Sequence, residues 1–123
     1  MTSAPNGRNR AMSEDDLLSC VVDLARLLGL RTAHFRPAKT DRGWRTPVQG
    51  DGKGFPDLVI VGPGGVLYRE LKGTRGRQKR EQVAWEHALH LAGADVAVWT
   101  PRQWPELIEW ELRVVAGRAE VAS

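Results

Sequence analysis

The stretch GFPDLVIVGPGGVLYRELKG, residues 54–73, decides how the chain is read. Two apolar runs, 57–61 and 66–72, flank the turn formers Gly62-Pro63-Gly64-Gly65, so the stretch reads as a β-hairpin. Its middle suits a core, yet its open end carries Asp57, Glu70 and Lys72. With the turn symmetric about Pro63 and Gly64, Asp57 faces Glu70. Side chains alternate along a strand, so Glu70 and Lys72 share a face. Directly opposed residues lie about 5 Å apart at Cβ. Two carboxylates and an ammonium therefore converge, provided the register holds. A slip of one residue would send Asp57 to the other face.

Two acids this close repel each other, more strongly where they are desolvated. Protonation of one acid, neutralisation by Lys72 or a divalent cation would each relieve the conflict. Mg²⁺ takes oxygen ligands and is commonly held by one or two carboxylates with waters and phosphates. Asp57 and Glu70 qualify as such ligands, with the Leu71 carbonyl between them. Lys72 would then face water or phosphate rather than the metal.

At 123 residues the chain is long enough for one domain with a real core. Its 41% hydrophobic and 27% charged content is that of a folded soluble protein. It has no apolar run of the ~18 residues a membrane span needs. The start, MTSAPNGRNRAMSEDD, lacks the apolar region of a secretory signal and reads as a loose arm, residues 1–12, with Met12 a second candidate start. Cys20 is the only cysteine, so neither an intramolecular disulfide nor a Cys/His zinc site is available. A cytoplasmic location is expected. The formal charge is +3, but five basic residues and no acid fall within KGTRGRQKR, 72–80. Such a run is either a solvated loop or a phosphate grip.

Outward from the hairpin, Ser13 reads as the N-cap of a first helix ending near Leu28, with Gly29 as its stop. Its expected apolar stripe is Leu18, Val21, Ala25 and Leu28, and one turn back lies Glu14. That acid sits in the first turn, where the helix dipole favours it or where a site could use it. RTAHFR, 31–36, is a candidate strand, and His34 and Arg36 lie at its end. Residues 37–54 read as a long loop, of the kind that is functional or disordered. In it Trp44, between Arg42 and Arg45, either stacks on a base beside phosphates or plugs the loop onto the body. After the hairpin come a helix over about 80–92, a strand at 95–99 and a helix over about 105–115. The second helix should meet the sheet through Trp85, Leu89 and Ala92, with Gln82 one turn back. Gln82 then borders the same spot as Glu14 or is an ordinary surface amide. The order αβββαβα, with a parallel crossover after the hairpin, gives an α/β fold with a mixed central sheet flanked by helices. His87 and His90 stand three apart on a helix and lack a third ligand, so they read as surface residues.

Pro56-Asp57 followed across the hairpin by Glu70-Leu71-Lys72 resembles the PD-(D/E)xK nuclease superfamily. GFPDLVIV, Arg75-Gly76-Arg77, EQVAW at 81–85 and AGADVAVWTPRQW at 92–104 make the finer likeness one to the small stand-alone bacterial and phage VRR-Nuc nucleases. The likeness spans about residues 13–112. It departs at Gly73-Thr74, where a more polar pair would follow the lysine. The resemblance implies a restriction-endonuclease-like core, in a single nuclease domain over 13–116 with a tail at 117–123. It implies a Mg²⁺- or Mn²⁺-dependent DNA endonuclease. Carried residue by residue, Asp57 and Glu70 match the metal ligands, Lys72 the catalytic lysine, Gln82 the motif glutamine and Glu14 the first-helix acid. Asp16, two residues on, is the rival for that last place, and Glu14 would meet a metal through water. Arg75, Arg77, Lys79 and Arg80 would grip DNA, aided by His34, Arg36, Arg42, Trp44 and Arg45. Relatives of this kind imply structure-selective cutting, of four-way (Holliday) junctions among others, by a homodimer. Trp104 and Trp110 are interface or core candidates. The rival readings are a non-catalytic DNA-binding module of the same fold and a purely structural hairpin held by a Lys72 salt bridge.

Overall fold

The computed structural model describes residues 12–35, 38–41, 43–45 and 50–118. Most of the expected arm (1–12) and tail (117–123), and Arg36 and Arg42, lie outside the described residues, as do the side chains of Trp44 and Arg45.

Helix α1, Glu14–Leu27, begins where Ser13 makes a capping box. The Ser13 hydroxyl accepts the Asp16 N–H at 3.0 Å, and the Asp16 carboxylate accepts the Ser13 N–H at 3.0 Å. Gly29, with φ of 76°, ends the helix, and the Leu30 N–H closes back on the Ala25 carbonyl at 2.9 Å. The inward stripe is Leu17, Val21, Ala25 and Leu28; the expected Leu18 is only half-buried, so the face is rotated by one residue.

Four strands form the main sheet: β1 Arg31–His34, β4 Leu58–Gly62, β5 Gly65–Leu71 and β6 Asp95–Trp99, in the order β1-β4-β5-β6. The β4–β5 hairpin has the register expected, from Leu58 opposite Arg69 to Gly62 opposite Gly65. The crossover through α2, Arg80–Leu91, returns β6 parallel to β5, so the sheet is mixed. A short 3₁₀ turn, Pro101–Gln103, leads to α3, Glu106–Val115. The core order is thus αβββαβα. The segment expected as plain loop adds a second sheet of two short strands, β2 Ala38–Thr40 and β3 Gly43–Arg45. Three-residue strands carry too little alternation to be read from sequence.

The two faces of the sheet are filled differently. Leu58, Ile60, Leu67, Leu71 and Trp99 bury against α1 and α3 and make the aliphatic core. Each large side chain removed from water there contributes about 1.5–3 kcal/mol. The GPGG turn docks on the end of α3, where the Gly64 N–H donates to the Val115 carbonyl at 2.8 Å. On the other face α2 packs on β6 without burying any residue fully. Leu89 and Trp85 are half-buried and Ala92 is exposed, so the expected stripe stops at Leu89. Aromatic rings fill the space instead, with Phe55 against Phe35, Tyr68 and Trp85 at centroid distances of 5.8, 6.1 and 5.0 Å. Trp104 packs half-buried against the core, and Trp110 is half-exposed on α3.

Candidate active site

The α1 and α2 N-termini both end beside the C-terminal end of β5. Asp57 precedes β4 by one residue, and the hairpin register continued outward sets it opposite Glu70. Two backbone bonds fix its position. The Phe35 N–H donates to the Asp57 carbonyl at 2.8 Å, and the Leu71 N–H donates to Asp57 Oδ1 at 3.1 Å. Glu70 is buried, and Lys72 Nζ stands 3.6 Å from its Oε2. Gln82 Nε2 donates to the same oxygen at 2.8 Å. The Oε1 of Gln82 accepts the Lys79 N–H at 2.7 Å, so this amide caps α2 and ties the helix to the acid. Glu14 starts α1 next to Gly73, whose Cβ position would lie 3.6 Å from the Glu14 nitrogen. Asp16 is spent on the Ser13 cap.

Burial is the main reason that Asp57 is pushed up to about 7, and the Glu70 and Glu14 charges add to it. The Leu71 N–H and Lys72 oppose the rise. Glu70 is also raised, first by burial and further by Glu14, against the pull of Lys72 and the Asp57 N–H. Lys72 therefore relieves the acids only in part, and a further cation would lower the energy of the charged pair. Each carboxylate keeps lone pairs for one. Among the described residues no three His, Cys, Asp or Glu side chains form a ready metal cage. The donor set is instead a two-carboxylate one, which suits Mg²⁺ or Mn²⁺ completed by water and phosphate oxygens.

Of the expected DNA contacts, Arg75, Arg77, Lys79 and Arg80 are exposed in the loop from Gly73 into α2, beside this centre. His34 is exposed at the end of β1, one rung from Asp57. Sequence reasoning missed the aromatic clamp that holds the 51–56 loop on α2. Trp85 Nε1 donates to the Asp51 carbonyl at 2.9 Å, and Lys53 stands 3.8 Å from Glu81. Gly54, at φ of 88°, lies so close that a Cβ would meet Glu81 backbone at 2.5 Å. The clamp joins the loop that leads into Asp57 to the helix that carries Gln82, and Trp85, expected on the sheet-facing side of α2, is one of its members. Also missed was Arg69, which is 2% exposed on the core face and pairs with Asp95 at 2.8 Å and Glu111 at 2.6 Å.

The αβββαβα order around a mixed four-stranded sheet is that of a restriction-endonuclease-like α/β fold. A solved structure described as a VRR_NUC domain is similar over 80% of this chain and 97% of that one, with a TM-score of 0.56 and 22% sequence identity. The chain thus has the VRR_NUC fold. No family model matches the sequence, and no curated protein matches it.

Proposed function

We propose that the chain is a divalent-metal-dependent DNA endonuclease of the PD-(D/E)xK kind. The observation that carries this reading is the convergence of Asp57, Glu70, Lys72 and Gln82 at one end of β5, with both acids raised by burial. Asp57, Glu70 and the Leu71 carbonyl would hold Mg²⁺ or Mn²⁺, with Glu14 reaching it through water. When bound, the ion supplies Lewis acidity toward water and phosphate oxygens. Lys72 orients the attacking water or stabilises charge growing on the phosphate, as a compact ammonium does well. Gln82 holds Glu70 in place. Arg75, Arg77, Lys79 and Arg80 grip phosphates on either side of the scissile bond. His34 would extend that surface, and Arg36, Arg42, Trp44 and Arg45 are proposed as further DNA contacts on their chemistry alone.

The proposed substrate is branched DNA, including four-way junctions, and the proposed working unit is a homodimer whose two centres address two strands. The test is a panel of labelled duplex, nicked, flap and four-way DNAs, with Mg²⁺ or Mn²⁺, against wild type, Lys72→Ala and Asp57→Ala. Metal-dependent cutting of branched DNA by wild type is expected, with losses of about 10²-fold or more in both variants. DNA binding by all three without cutting would favour the non-catalytic module. Equal cutting by all three would remove the centre from the reaction.

A further inference from the structure

On the core face of the same strand, a second polar cluster around Arg69 joins α3 to β5 and β6. Glu111 Oε1 accepts both Arg69 Nη2 at 2.6 Å and Trp99 Nε1 at 3.2 Å. Arg69 also donates to the Asp95 and Tyr68 carbonyls, at 2.8 and 3.0 Å, and its guanidinium lies 4.9 Å over the Trp99 ring. Trp99 is 1% exposed, so its indole has one orientation to occupy. Its carbonyl accepts the Lys72 N–H at 3.0 Å. This bond lies one residue beyond the last β5–β6 rung, Leu71 opposite Trp99, and it fixes the backbone from which the Lys72 side chain springs.

We infer that Glu111 is a positioning residue for Lys72, acting through the Trp99 indole and the Trp99 carbonyl; its catalytic side rests on the nuclease reading above. A buried cation alone would be satisfied by any nearby acid, and Asp95 already pairs with Arg69. Glu111 differs in that one of its oxygens is shared between Arg69 and Trp99. It therefore couples the placement of α3 to the last residue of β6. A displaced lysine is misaligned with the reacting phosphate, and a misplacement of about 1 Å can cost roughly a hundredfold in rate.

The test uses Trp99→Phe, which keeps an aromatic ring and the carbonyl but removes the indole donor, and Glu111→Met, which keeps the side-chain length but removes both acceptor oxygens. Glu109→Gln, on the surface pair with Arg113, is the control. Amide hydrogen exchange is read without metal, at a temperature where all variants are folded. Exchange at the Lys72 amide is expected to rise by about tenfold in Trp99→Phe and Glu111→Met, with Ile60 in the central strand unchanged. Under metal and branched DNA, kcat falls by about tenfold or more with KM little changed, while Glu109→Gln matches wild type. Unchanged Lys72 exchange overturns the inference. Uniform acceleration at every strand amide does the same, since that is loss of stability alone. Faster exchange with unchanged kcat also overturns it. A wild type that cuts no DNA refutes the nuclease reading instead, and the exchange comparison still decides whether Glu111 holds the Lys72 backbone.

Discussion

Asp57 and Glu70 are where the fold gives up stability. Burial pushes the Asp57 carboxyl up to about 7 in the folded chain, from an ordinary value of 3.8. Below the unfolded value both states hold the proton and the acid costs nothing. Between the two values the folded state binds more protons, so stability falls as pH rises, and the loss levels off above about 7. Glu70, raised as well, acts in the same sense. Asp57→Asn, whose amide oxygen can still accept the Leu71 N–H, should melt higher than wild type at about pH 8 and equal to it near pH 4. Cleavage should be lost in the same variant. Melting curves across that range without metal check this, and a constant difference at all pH values would contradict it. The acids themselves were readable in the sequence, because a symmetric turn and strand alternation set 57 against 70. The choice between Glu14 and Asp16 was not readable. Both lie in the first helical turn, and the capping bond that commits Asp16 depends on which way a single side chain turns.

At the scale of elements, the hairpin register and the last strand, Asp95–Trp99, were legible because turn formers and β-branched runs bounded them. The hairpin at 38–45 was not, since Ala-Lys-Thr and Gly-Trp-Arg give no period. The packing of α2 was legible only in part. Its face meets the Phe55 ring of the 51–56 loop rather than an aliphatic core, and no spacing rule in the helix announces that partner. Gly54 makes the arrangement testable. Gly54→Ala combines a φ of 88° with a Cβ 2.5 Å from Glu81 backbone, and should cost about 2–4 kcal/mol and separate Asp57 from Gln82. Gly93→Ala, at a similar φ of 87° with nothing within 4 Å, should cost only about 1–2 kcal/mol. Urea unfolding of the pair measures the difference; equal costs would mean that the loop does not bear on α2.

For the molecule as a whole, the helix and strand ends that meet at β5 gather charge on one side of the sheet. The exposed basic run from Arg75 to Arg80 lies beside the acids, and no helix among the described residues is long and apolar enough to cross a membrane. A phosphate grip of this kind makes DNA affinity fall with salt, with a slope reduced by about 0.9 for each contact removed from duplex DNA. Arg75→Ala with Arg77→Ala should therefore flatten the salt dependence by roughly two such contacts, read by fluorescence anisotropy over a salt series. Light scattering at several protein concentrations tests the proposed dimer, which predicts twice the 13.6 kDa chain mass.

The claim beneath all of this is that the paired acids form a seat for a divalent ion, and calorimetric titration of Mn²⁺ measures it most directly. At about pH 6.5 Asp57 is still largely protonated, so ion binding must expel a proton and the heat must differ between buffers of different ionisation enthalpy. Wild type should bind Mn²⁺ with that buffer-dependent heat, and Asp57→Asn and Glu70→Gln should bind at least tenfold more weakly, the first with less proton release. Identical Mn²⁺ binding by all three proteins, or none by wild type with or without DNA present, would contradict the account.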